Sequence, residues 1–130
     1  MSLKYGFGKI VPRTFDDALA CVTAALQHEG FGVLSDVDVA ATLKKKLGVD
    51  MPPYRILGAC NPPLAHKAVM IEPSIGLLLP CNVVVRQDLS GTVHVEVMNT
   101  EAVLQLVDKP EIAALAQEVR QRLDRVLAAI

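Results

Sequence analysis

Asn82-Val83-Val84-Val85-Arg86-Gln87-Asp88-Leu89-Ser90-Gly91-Thr92-Val93-His94-Val95-Glu96-Val97-Met98-Asn99 contains two strands and the turn that joins them. From Thr92 to Asn99, Val93, Val95 and Val97 fall on one side of an extended chain and Thr92, His94, Glu96 and Met98 on the other. Strict alternation of this kind predicts a strand with one face in a core and one polar enough to be wet. Asp88-Leu89-Ser90-Gly91 has the composition of a hairpin turn, so the Val-rich run before it lies antiparallel to the strand after it. The fold is therefore built on an antiparallel sheet.

Upstream, Tyr54-Arg55-Ile56-Leu57-Gly58-Ala59 reads as another strand, stopped at Cys60 because Pro62-Pro63 cannot continue a ladder. Residues 63–72 carry Leu64, Ala65, Ala68, Val69 and Ile71, a helix opened by proline, and Pro73-Ser74-Ile75-Gly76 turns the chain back. Pro80 then predicts an edge position or a bulge for the strand that begins at Cys81. Nearer the N-terminus, residues 5–11 form a first strand, with Gly6 and Gly8 on one face as if another backbone or a ligand approaches there. A helix follows: Thr14 with Asp16 and Asp17 marks its start, Phe15, Leu19, Val22 and Leu26 recur at helical spacing, and Gly30 stops it. Residues 31–37 read as a strand with Phe31, Val33 and Val37 sharing a face. Asp38 caps a short helix over 39–47, whose Lys44-Lys45-Lys46 and Gly48 form a solvated C-terminal end.

Downstream, residues 101–106 make a short helical turn. Lys109-Pro110-Glu111 opens a long helix striped by Ile112, Leu115, Val119, Leu123, Val126 and Ile130. Two long amphipathic helices with four or five antiparallel strands indicate an α+β fold, a sheet with its helices gathered on one face. Val93, Val95, Val97, Leu19, Val22, Leu115, Val119 and Leu123 are expected in one core.

The chain of 130 residues is read as a single domain, 1–130, without repeat or linker. With 52% hydrophobic residues but only 4% aromatic ones and no Trp, its core must be packed from Val, Leu, Ile and Ala. A formal charge of −1 lacks the clustered cations that nucleic acid or an anionic membrane surface requires, so neither is an expected partner. There is no signal-peptide pattern and no apolar run of spanning length, which places the expected location in the cytoplasm. Cys21, Cys60 and Cys81 are an odd number of cysteines in a chain able to build its own core, so free thiols are expected.

Cys60-Asn61-Pro62 and Pro80-Cys81-Asn82 repeat one Cys-Asn pattern at the end of one strand and the start of the next. Antiparallel pairing of those strands would bring both pairs to the same border of the sheet and the two sulfurs close together. Cys60 and Cys81 are the candidate reactive groups, with Asn61, Asn82 and His66 as candidate ligand-binding residues. His66 is the nearest further ligand for a metal, but Cys60-x5-His66 is not a usual zinc spacing and no metal is expected. Cys60 stands just before a helix, where a thiol pKa can fall. Against this, cysteine packs well as a small hydrophobe, and Asn at a strand end shapes turns. Cys21 reads as core, and His28 and His94 as solvated. No Ser-His-Asp order, phosphate loop, paired carboxylates or cofactor motif is present.

The run from Tyr54 through Cys60-Asn61-Pro62-Pro63-Leu64-Ala65, followed by Gly76-Leu77-Leu78-Leu79-Pro80-Cys81-Asn82-Val83, resembles the domain-of-unknown-function family 302. The likeness extends to Gly30-Phe31-Gly32-Val33 and to the closing amphipathic helix. It implies an architecture like half of the TATA-box-binding protein, β-α-β4-α, with a helix inserted between the Cys60 and Cys81 strands. It also implies pairing into homodimers; DNA binding does not carry over, because the basic surface is missing. Two functions follow. One is a small-molecule or sulfur-handling site where the Cys-Asn pairs converge; the other is a non-enzymatic dimeric binding module in which those pairs only hold the turns.

Overall fold

The computed structural model describes residues 2–130. Five strands, β1 (Gly6–Val11), β2 (Gly32–Asp38), β3 (Tyr54–Cys60), β4 (Cys81–Gln87) and β5 (Val93–Met98), form one sheet in the order β1-β5-β4-β3-β2 with every neighbour antiparallel. Helix α1 (Phe15–His28) joins the two edge strands. Helices α2 (Val39–Leu47), α3 (Pro62–Ile71) and α4 (Thr100–Leu104) fill later connections, and α5 (Pro110–Ala128) closes the chain. Tight 3-10 turns at Pro73–Leu78 and Gln105–Val107 complete it.

One face of the sheet carries the helices. Val83, Val85, Val93, Val95 and Val97 pack there with Val22 and Leu26 of α1 and Leu123 and Val126 of α5, all buried, and Leu19 and Leu115 lie against them half-buried. The alternating valines of β5 thus form part of the floor of the main core. A smaller cluster of Ala68, Ile75, Leu104, Ile112 and Ala116 forms where α3, α4 and the first half of α5 meet.

Local chemistry sets the helix ends. Thr14 Oγ1 accepts from the Asp17 N–H at 3.2 Å, and Asp38 Oδ1 accepts from the Ala41 N–H at 2.9 Å. Gly48 ends α2 at φ 69°, a left-handed position open to glycine without a side-chain clash.

The structure corrects two expectations, at Val37 and Pro80, and bears out a third, the close approach of another backbone to the β1 glycines. Val37 does not share the face of Phe31 and Val33: the register slips between Val33 and Ser35, leaving Leu34 as an extra residue, so Val37 opposes Ile56 on the outer face and is 46% exposed. The same slip places Asp36, still exposed, on the helix-bearing face, where Arg55 grips it with Nε and Nη2 at 2.8 and 2.6 Å. Pro80 imposes neither an edge nor a bulge, because β4 is the central strand. The proline precedes the first paired residue, Cys81 opposite Ala59, and so removes no ladder hydrogen bond. Gly8 has no room for a side chain because of the neighbouring strand: a Cβ there would collide with Val95 O and lie 2.9 Å from Glu96 Cα.

Candidate functional site

The ends of β3 and β4, α3, the first 3-10 turn, α4 and α5 surround a cavity of about 360 Å³. Its wall contains Cys60, Asn61 and Cys81 among mostly aliphatic side chains, and includes no Lys, Arg, His, Asp or Glu. The space exists because several facing positions are small, namely Ala59, Ala65, Ala68 and Gly76, opposite the larger Leu104 and Leu115. β3 and β4 run antiparallel with Ala59 opposite Cys81, so the two thiols stand at one end of two inner strands.

The Cys60-Asn61-Pro62-Pro63 sequence explains its own geometry. Asn61 is the N-cap of α3, with Pro62 and Pro63 in its first turn. Prolines there have no N–H to leave unpaired, and Asn61 Oδ1 accepts from the first amide after them, Leu64 N–H, at 3.3 Å. The amide is buried, and the chain packs closely behind it: a Cβ on Gly30 would sit 3.1 Å from Asn61 Nδ2 and 3.4 Å from Arg122 Nη1. Arg122 Nη1 in turn donates to Glu29 O at 3.0 Å, tying the end of α1 to α5.

The two thiols differ. Cys81 is buried, and burial, with a smaller contribution from neighbouring Cys60, pushes it up to about 11. At neutral pH it is a protonated, weakly nucleophilic thiol. Cys60 is half-buried at the cavity wall.

Of the candidate residues, Cys60, Asn61 and Cys81 come together. Asn82 does not join them: it is exposed, opposite Gly58, and lines a depression that the cavity does not share. His66 is also apart, exposed on α3, because two residues beyond Leu64 the helix has turned roughly 200° away from the cavity. Cys21 is half-buried on α1. Among the described residues no group of three or more His, Cys, Asp and Glu is placed to hold a metal ion, and no helix is long and apolar enough to cross a membrane.

Sequence reasoning did not single out Leu104, Leu115 or Val119 as walls of a site. Their apolar character was plain, but a side chain facing a void and one facing a neighbour read identically. Gly58 was also passed over. The volume its missing side chain leaves holds Ser35 Oγ and the Pro80 ring, which lets the Pro80-Cys81 turn close over β3.

An antiparallel five-stranded sheet with helices on one face and an aliphatic cavity at the end of its inner strands defines an α+β domain. Residues 7–130 match the family described as domain of unknown function DUF302, and the chain belongs to that family. The crystal structure of an uncharacterized conserved DUF302 protein from Bacillus stearothermophilus is similar, with 27% identity, a TM-score of 0.88, and coverage of 96% of this chain and 97% of that one. No curated protein matches the sequence.

Proposed function

We propose that this protein binds a small, largely apolar molecule in the cavity beside Cys60 and Cys81, and that Cys60 is the thiol that touches it. The observation that carries the reading is the cavity itself: about 360 Å³, within the range of roughly 300–1,000 Å³ usual for small-molecule sites, and walled without a charged side chain. General acid–base catalysis needs a titrating group within hydrogen-bond reach, and this wall offers only thiols, of which Cys81 keeps its proton. Binding, with sulfur chemistry confined to Cys60, fits better than hydrolysis. Asn61 serves the site as the helix cap that sets its wall, the architectural half of the alternative reading. Self-association into a homodimer remains a separate proposal resting on the family resemblance, tested by sedimentation equilibrium.

The test is calorimetric titration with an apolar fluorescent probe such as anilinonaphthalene sulfonate's uncharged analogue, N-phenyl-1-naphthylamine, against the natural protein and Ala65→Phe. Ala65 is half-buried at the wall, so the larger ring fills the space with little rearrangement. The expected result is saturable binding that weakens at least tenfold in the variant while its melting temperature holds. Equal binding by both proteins would overturn the proposal.

A further inference from the structure

Three features that the cavity leaves unused meet on the other side of the sheet: Gly6 of β1, the second asparagine, and the wet face of β5. There a depression of about 430 Å³ is lined by Gly6, Asn82, Val84, Glu96 and Met98, with Tyr5 and Tyr54 among its walls. Register explains the hollow. Gly6 opposes Met98, so on the β1 flank of β5 a position that would normally raise a side chain over this face is bare. Glu96 opposes Val84.

The chemistry of the lining is one-sided. It holds a single charged side chain, the Glu96 carboxylate, and no Lys, Arg or His. Arg86 Nε donates to Glu96 Oε1 at 2.6 Å, which fixes the carboxylate in place and leaves Oε2 as an acceptor. The Asn82 side chain is exposed and adds a carbonyl acceptor. Tyr5 and Tyr54 contribute aromatic faces, whose negative quadrupole attracts cations, and Met98 a polarizable sulfur. Acceptors, aromatic rings and a carboxylate that Arg86 engages through Oε1 converge on a space lined by no Lys, Arg or His.

We infer that this depression is a second ligand site, separate from the apolar cavity, and that it takes a small organic cation of the alkylammonium class. The ammonium group is held by Glu96 and Asn82, and the alkyl part lies over Val84 between the tyrosines. An anion is disfavoured by the carboxylate, and a neutral alkyl ligand forgoes the charge-assisted hydrogen bond that provides the selectivity.

Two-dimensional amide NMR tests this with butylammonium as the probe and n-butanol as its neutral counterpart. The inference predicts butylammonium-dependent shifts at Gly6, Met98 and the Asn82 side-chain amide, and an affinity at least tenfold above that for n-butanol. Glu96→Gln should remove that preference. Because it also loosens Arg86, Asn82→Ala provides an independent variant at an exposed position, expected to weaken butylammonium about threefold or more with the rest of the spectrum unchanged. Ala65→Phe, in the other cavity, should leave butylammonium binding intact, so the two sites stand or fall separately. Equal affinity for n-butanol, shifts located elsewhere, or no effect of either sheet-face variant would each overturn the inference, as would loss of binding in Ala65→Phe.

Discussion

Cys60-Asn61 leaves a strand for a helix, whereas Cys81-Asn82 enters a strand from a turn. In the first pair the cysteine is half-buried at a cavity wall and the asparagine is buried as a helix cap. In the second the cysteine is buried and the asparagine lies exposed on the opposite face of the sheet. The cause is the residues that follow. Two prolines after Asn61 start a helix and call for a cap at its third amide; three valines after Asn82 continue a strand, whose alternation must send Asn82 outward if Cys81, Val83 and Val85 go in. A repeated dipeptide therefore takes its role from context, and what looked like one doubled site becomes one aliphatic cavity and one separate depression that carries Asn82 and Glu96.

The comparison breaks most visibly at Gly58, the residue that lets the Pro80-Cys81 turn fold against β3. Gly58→Ala would set a Cβ against Ser35 Oγ and 2.7 Å from Pro80 Cγ, and should destabilise the protein by about 2–3 kcal/mol in urea unfolding, a typical cost of overpacking. A shift below about 0.5 kcal/mol would mean that the turn is not closed in this way.

Cys81 should reveal itself at alkaline pH. Its folded pKa is raised from 9.0 to about 11, so below pH 9 both folded and unfolded chains hold the proton and the thiol's packing is fully retained. Between pH 9 and 11 the unfolded chain releases the proton while the folded chain keeps it, and stability falls. Two pKa units correspond to roughly 2–3 kcal/mol in all. Cys81→Ala should be less stable at pH 7 but lose less on going to pH 11; parallel pH profiles for the two proteins would contradict a buried, neutral Cys81.

A smaller contrast separates the asparagines. Asn61→Ala removes a buried cap and should cost about 1–2 kcal/mol, whereas Asn82→Ala should stay within about 0.5 kcal/mol. Equal effects measured by chemical denaturation would erase the distinction between the pairs.

How far the sequence revealed this arrangement depends on how local each cause is. The β4–β5 hairpin, the Thr14 and Asp38 caps and the stripe of α5 were all legible, since each rests on residues within one or two turns of one another. The antiparallel meeting of β3 and β4 stood in the sequence as a condition, because a helix and a 3-10 turn separate the two strands, and the register of Ala59 with Cys81 meets it. The bulge at Leu34 was hidden, because no glycine or proline marks it and its effect, the inversion of Val37, appears only against β3. The cavity was hidden for a stronger reason: Ala65 and Ala68 lie far along the chain from Leu104 and Leu115, and a void is a property of their separation in space. His66 is near Cys60 in sequence but not at the cavity wall, because the roughly 200° that separates it from Leu64 around the helix carries it to the exposed side.

Alkylation of the native protein with iodoacetamide, read by peptide mass spectrometry with and without saturating N-phenyl-1-naphthylamine, tests the central claim most directly. The account predicts that Cys60 is modified well before Cys81 and that the probe slows modification of Cys60 at least tenfold. Modification of Cys81 as fast as Cys60, or a Cys60 rate that the probe leaves unchanged, would contradict it.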